Sequence, residues 1–445
     1  MSIANQIQRL QNAKAALAVS IENKGVTVPS ATKLDGYAAL VDQIQQGGGS
    51  GDTVIIYGGQ AEDKGISFID CDGSIVASYT TDEIANLESL PAAPAAKTGL
   101  QFVGWSKTLE EVKADPYGDW ICARYTLAES NTLYAIVVTP EDNCTFAFSG
   151  LQAWSASQTS YNIDWGDGSS DVSSTTKSHV FASAGTYMVK ASCAAGEKFI
   201  VEYKLVTGKS SQYLLAAYLP ANMNFNGGSS YYTNPTTDQC VGAVFNTRPD
   251  GYVIVDDNNN SEDIRVGEFA NCRIFWLYTE NMTRVSGAGA FSGSAIRAIS
   301  SITNPNSKMF YNCKDIKKVK VRASGSGHIG ERAFHNTTSL NYFSSKDVVS
   351  GSGTANDDYG FSAVSQDSLK EVWFSSTTSG FPANMFENRN GVSVYFPKAT
   401  PPTLSSTGNL GGVIIYVPSS ALSAYEVADN WSVLYANNQI IGYSF

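Results

Sequence analysis

Two aspartates three positions apart, Asp164 and Asp167 in Tyr161-Asn162-Ile163-Asp164-Trp165-Gly166-Asp167-Gly168, would suit a metal ion or a general acid and base. With glycine at 166 and 168 they also suit a tight turn whose carboxylates bond their own backbone, and this is the reading adopted. The oxygen-rich run Asp256-Asp257-Asn258-Asn259-Asn260-Ser261-Glu262-Asp263 has the donors calcium prefers, yet lacks the acid and glycine spacing of a calcium loop. It is read as a solvated turn, with calcium left open. His179, His328 and His335 are too few and too scattered for a zinc site and are read as surface or turn residues. Gly325-Ser326-Gly327-His328-Ile329-Gly330 fits a dinucleotide fingerprint, but no strand–helix–strand unit or ribose-binding acid follows it. Tyr231, Tyr232, Trp373 and Phe374 would stack on sugar rings if exposed, although alternation in a strand sends half such rings into a core. Polysaccharide hydrolysis needs two placed carboxylates, and no recurrent placement singles out a pair. No catalytic, cofactor-binding or metal residue is therefore assigned, no cofactor is expected, and the chain is read as a non-enzyme.

What could hold such groups in place follows from composition. The chain has 445 residues, enough for about three domains. Thirty Lys and Arg against 41 Asp and Glu give a net charge of −11, and no basic run is present, which argues against nucleic acid as a partner. Only 16% of residues are charged, while 39 are Gly, 23 Tyr and 20 Phe, a balance that suits sheets and turns. Neither a secretory signal nor a membrane-spanning apolar run is read, so no membrane partner is expected. Seven scattered cysteines are read as small buried apolar residues in a reducing compartment.

Four segments emerge, giving a multidomain, mainly β fold class. Residues 1–48 carry Ile3, Ile7, Leu10, Leu17 and Ile21 at helical spacing with Lys14 in the seam, then a second helix from Thr32 to Ile44 and a glycine linker. This helical hairpin is expected to dock or oligomerise the chain, with a trimer the expected order. Residues 49–138 turn to period two, with a tight hairpin at Asp72-Gly73, a helix around 81–90 and a last strand in TLYAIVVTP. Gly99, Phe102, Gly104, Trp105 and Ser106, then Ala123 and Tyr125, resemble the internalin-type B-repeat, which implies a small β-grasp-like α+β domain. Trp105 is read as its core anchor. Residues 139–208 resemble a PKD-type domain through Trp165-Gly166-Asp167-Gly168 and the later His179, Phe181, Gly185, Tyr187 and Val189. An Ig-like β-sandwich is implied.

Residues 209–445 hold a worn repeat, Gly-x-x-Ala-Phe-x-x-(Cys/Asn/Thr)-x-x-(Leu/Ile), clearest at Gly330 to Leu340. Its phenylalanines, Phe269, Phe291, Phe310, Phe334, Phe361 and Phe386, are 22, 19, 24, 27 and 25 residues apart. The pattern resembles the BspA-like leucine-rich repeats of bacterial surface proteins, which implies a solenoid of five to seven coils. VIIYVPSSALSAYEVADNW is read as its C-terminal cap.

Ile21, Glu22, Lys24, Gly25, Val26, Val28, Pro29, Leu34, Tyr37, Ala38, Leu40 and Ile44 resemble the helical N-terminal segment of bacteriophage tail and baseplate-associated proteins. That resemblance implies a virion protein of the tail tip, baseplate or fibre, assembled in the host cytoplasm. Its partners would be other tail proteins through residues 1–48 and a host-surface glycan or protein through the solenoid. A bacterial cell-surface adhesin-like protein is the alternative.

Overall fold

The computed structural model describes residues 65–445 apart from 117, 155–159, 174–176, 202–203, 226–244, 262–263, 265–266, 350–355 and 364–367. The segment read over residues 1–48 lies outside the described residues, as do Tyr231, Tyr232, Cys240, Glu262 and Asp263.

Alternating apolar residues build the first module. Strands β1 (Ile66–Ile69) and β2 (Ile75–Tyr79) are antiparallel about Asp72-Gly73, where Asp72 accepts from the Ser74 amide at 3.0 Å. Helix α1 (Thr81–Ala85) opens on a capping box between Thr80 and Glu83, and it is shorter than the sequence suggests. Asn86 ends it by donating from its side chain back to the Asp82 carbonyl at 3.0 Å. Strand β3 (Leu100–Trp105), helix α2 (Leu109–Ala114) and strand β4 (Trp120–Leu127) complete a mixed sheet of order β2-β1-β4-β3. Trp105 packs edge-on against Phe68 at 4.9 Å and donates to the Pro91 carbonyl at 2.9 Å.

The next strand, β5 (Thr132–Thr139), is the one the sequence assigns to this first module. Both edges of β4 are already taken, by β1 and β3, so β5 cannot pair there. It runs instead beside a later strand, from Thr139 opposite Gly185 to Thr132 opposite Ser192. The second module therefore starts at β5. It continues through β6 (Cys144–Phe148), β7 (Leu151–Trp154), β8 (Tyr161–Asp164), β9 (Ser170–Ser173), β10 (Lys177–Phe181), β11 (Gly185–Ser192) and β12 (Lys198–Val201). After helix α3 (Lys209–Tyr213) come β13 (Leu214–Leu219), β14 (Met223–Asn224) and β15 (Tyr252–Val255). One sheet has the order β15-β13-β5-β11-β8-β9, and the smaller sheets β10-β6 and β14-β12-β7 share its core of Phe146, Phe148, Tyr161, Trp165, Phe181 and Phe199.

No seam falls at residue 208. Strand β13 is antiparallel to β5 on one side and parallel to β15 on the other, so the sandwich sheet ends on the first parallel strand of the solenoid, which a parallel bridge between Val253 and Ile274 links to the next rung. A solenoid needs its first open end covered, and here the sandwich covers it. The parallel strands then follow as β16 (Trp276–Leu277), β17 (Ala298–Ile299), β18 (Lys318–Lys320), β19 (Tyr342–Ser344), β20 (Glu371–Trp373), β21 (Val392–Tyr395), β22 (Val413–Pro418) and β23 (Ile440–Tyr443). With β15 that makes nine parallel strands among the described residues; β22 and β23 belong to the cap, which leaves seven, within the five to seven coils expected.

The repeat phenylalanines form the spine. Phe269, Phe291, Phe310, Phe334, Phe361 and Phe386 are fully buried and stack almost parallel at 5.8, 5.2, 5.4, 5.1 and 5.3 Å. Phe245 adds a ring before them, 5.2 Å from Phe269. Each backbone also bonds the next rung, for example Phe310 N–H to the Ala333 carbonyl at 2.8 Å. Four of the turns bend through two left-handed residues four apart, Gly267 and Asn271, Gly289 and Gly293, Lys308 and Asn312, Arg332 and Asn336, and two later ones through one, Tyr359 or Asn388. That backbone, which glycine and asparagine tolerate best, explains their recurrence in the repeat. The cap keeps its expected strand, but the helix expected to end near Trp431 stops earlier, as α4 (Leu422–Val427), and Trp431 opens a second helix, α5 (Trp431–Ala436), ahead of β23. Trp431 and Tyr425 are fully buried under it and bond the Pro402 and Lys398 carbonyls at 2.7 and 3.0 Å.

Candidate functional site

Period two in the solenoid strands splits the sheet into an inner and an outer face. Val319, Phe343, Val372, Val394, Ile415 and Ile440 share a register row and point into the core. The flanking rows face outward: Lys318, Tyr342, Glu371, Ser393 and Ile414 in one, Lys320, Ser344, Trp373, Tyr395, Tyr416 and Ile441 in the other. Ser344 is the one member of these outer rows that is buried.

The first module occupies the early part of this outer face. Trp120 lies between two cations, the Arg297 guanidinium at 4.5 Å and the Lys317 ammonium at 4.4 Å, and donates to the Asp315 carbonyl at 3.0 Å. Arg297 reaches the Gly73 carbonyl at 3.1 Å, Lys318 pairs with Asp115, and Ile69 and Cys122 bury against Phe275. The cavity along this seam, lined by Cys71, Tyr125, Ile254 and Trp276 among others, holds about 10 Å³. That is room for one water at most.

From β20 onward the second of these rows carries aromatic rings instead. Trp373 and Tyr395 stack at 3.8 Å and 3°, and Tyr395 and Tyr416 at 4.8 Å and 11°. Tyr443 meets all three nearly at right angles, at 6.0, 5.1 and 5.8 Å. Phe445, 52% exposed, stands 5.0 Å from Tyr443. Lys346 lies over Trp373 at 5.4 Å, and the Trp373 indole N–H donates to Glu371. Trp373 is thus on the outer face and Phe374 in the core, the division that strand alternation requires.

The acidic run behaves differently from the solvated turn read in the sequence. Asp256, Asp257, Asn259 and Ser261 are all buried. Asp256 accepts from the Leu127 amide at 2.7 Å, and Asp257 pairs with Arg124 at 2.7 Å, tying the first module to the solenoid. Asn259 donates to the Pro220 and Met223 carbonyls at 2.9 and 3.0 Å and accepts from the Ser261 amide at 2.9 Å. Burial pushes the Asp257 carboxyl up to about 6, against the pull of Arg124. The oxygens are spent on amides and a guanidinium, and no cluster able to hold a metal occurs among the described residues.

The other residues singled out in the sequence are local. Asp164 accepts from the Gly166 amide at 2.9 Å; Asp167 accepts from Ser169 N–H and O–H at 3.0 and 2.6 Å and contacts His179 at 2.7 Å. The Ser169 hydroxyl and His179 hold Asp167 down to about 2. His328 lies 3.4 Å from Asp357, and His335 bonds Ser362 at 2.7 Å while stacking on Tyr311. Gly325 and Gly330 serve close packing between rungs: a side-chain carbon on either would come within 2.1 Å of the Thr303 carbonyl or 2.3 Å of the Ser307 amide. The six described cysteines are free and buried, and burial pushes Cys272 and Cys313 up to about 12. No helix among the described residues is long and apolar enough to cross a membrane.

The stacked phenylalanines and parallel rungs are the geometry of a leucine-rich-repeat region, and the family comparison agrees. The family model for the BspA type leucine rich repeat region matches residues 254–356 and 306–402, in six copies. The C-terminal half of the chain carries BspA-type repeats. No curated protein matches the chain.

Proposed function

We propose that this protein is a non-enzymatic, adhesin-like surface protein that binds through the outer face of its BspA-type solenoid. One observation carries the reading: the repeats run into a six-stranded parallel sheet, β18 to β23, whose rungs from β20 onward present aromatic rings outside the area held by the first module. A repeat face recognises by spreading contacts over many side chains, which fits a chain whose candidate catalytic residues all serve turns, rungs or seams. The resemblances of residues 49–138 to internalin-type B-repeats and of 139–208 to PKD-type domains support the same cell-surface setting. The test is saturable binding of the fluorescently labelled full chain to bacterial and animal cells, competed by unlabelled chain. Absence of saturable binding, or turnover of cell-wall glycans by the purified protein, would overturn the reading.

A virion attachment protein would use the same face. It is favoured by the resemblance over residues 21–44, which lies outside the described residues. Labelling of purified virions by an antibody to residues 209–445 separates the two readings, and light scattering with and without residues 1–48 tests the proposed oligomer.

A further inference from the structure

We infer that the aromatic cluster on rungs β20 to β23 is a saccharide-binding site for neutral sugar chains, an inference that rests on the binding role proposed above. The argument begins with the rings. Tyr395 sits on β21 between Trp373 on β20 and Tyr416 on β22, so both of its faces are taken by stacking at 3.8 and 4.8 Å. Its contact with Tyr443, at 5.1 Å and 74°, is edge to face. The edge must therefore come from Tyr395 and the face from Tyr443. Tyr443 lies across the outer edges of three stacked rings that hold it in place, and Phe445 stands at 71° beside it. The result is a rigid aromatic corner on the protein surface.

The polar groups around that corner decide the ligand. Among the described residues, none hydrogen-bonds the Tyr395, Tyr416 or Tyr443 hydroxyls. Glu371 engages the Trp373 indole with one carboxylate oxygen, and Lys346 brings an ammonium to the margin. A protein helix or apolar surface laid on the cluster would bury three phenol hydroxyls without partners, which is unfavourable. Strands β20, β21 and β22 are paired on both sides, so an extended peptide would add only at the outer edge of β23, in the plane of the sheet and not across the rings. A pyranose chain matches both features, offering C–H faces to aromatic rings and hydroxyls to hydroxyls. Charges of both signs at the margin, in a chain of net charge −11, favour a neutral chain over a polyanionic one.

The test is affinity electrophoresis of the full chain in native gels containing laminarin, yeast mannan, galactomannan or hydroxyethylcellulose. At least one polysaccharide should retard the wild type. Trp373→Ala should weaken that retardation roughly tenfold or more, and Tyr443→Phe, which keeps the ring and removes only a hydroxyl, about threefold. Retardation by none of the four, or equal retardation of both variants and wild type, would overturn the inference. Saturable cell binding that survives Trp373→Ala would remove the saccharide site and leave the broader binding role standing. Absence of cell binding by the wild type would remove both.

Discussion

Replacing Phe310 by alanine should be among the most damaging single changes in the solenoid. Phe310 is fully buried between Phe291 at 5.2 Å and Phe334 at 5.4 Å, with rings 10° and 7° from parallel. Truncating a buried phenylalanine costs about 3–5 kcal/mol in transfer and cavity terms. Two stacked neighbours, each worth about 0.5–1.5 kcal/mol beyond area, place this site at the upper end of that range. Phe386, which has one near-parallel neighbour, Phe361 at 5.3 Å, should lie at the lower end. At roughly 1.5 °C per kcal/mol for a cooperative unit of about 300 residues, Phe310→Ala should lower Tm by about 7 °C. The buried core runs unbroken from Leu133 in the sandwich to Ile440 after the cap. Loss at Phe310 should therefore destabilise both ends together. Pulse-labelling hydrogen exchange through a thermal melt, read on peptides from 144–154 and 413–436, would show whether they open at one temperature. A Tm fall below about 3 °C, comparable to a surface change, would refute the stacked spine as the stabilising feature. Separate melting of the two peptides in the wild type would refute the shared core.

Two other expectations follow from buried and turn polar groups. Asp167 is held at about 2, below its unfolded value, so its stabilisation is present above about pH 4 and is lost as pH falls towards 2; Asp257, raised to about 6, has the opposite sign and loses its contribution as pH rises from about 4 through 6. Melting temperatures across about pH 2–7 should show Asp167→Asn flattening the acid limb and Asp257→Asn flattening the slope between about pH 4 and 6. Asn259→Ala removes the side-chain partners of the Met223 carbonyl and the Ser261 amide, at roughly 1–3 kcal/mol for each buried group. Urea unfolding should show a loss of about 3 kcal/mol, and Asn259→Asp, which sets a buried carboxylate against the Pro220 and Met223 carbonyls, should recover none of it.

Much of this molecule is legible wherever local pattern suffices. The Phe spacing announces the repeat, because each rung returns a ring to the same place in a stack. Asp72-Gly73 and Asp164 to Gly168 announce turns, since carboxylates there bond amides two residues on. Helix α2 goes unread in the sequence, although Thr108 and Glu111 carry the spacing of a capping box. Alternation also divides inner from outer faces, placing Phe374 inside and Trp373 outside.

Which strand lies next to which, and what each outer face meets, comes only from the closed chain. Period two states which way a side chain points but not its neighbour, so β5 goes to the sandwich only because β4 has no free edge. The acidic run looks solvated for the same reason: its amide and guanidinium partners, Leu127 and Arg124, lie 129 and 133 residues away. Trp120 and Asp315, 195 apart, and Gly73 and Arg297, 224 apart, fix the first module over the early rungs. Contacts across such separations depend on the whole chain folding back on itself, and they leave the aromatic rungs β20 to β23 beyond the first module.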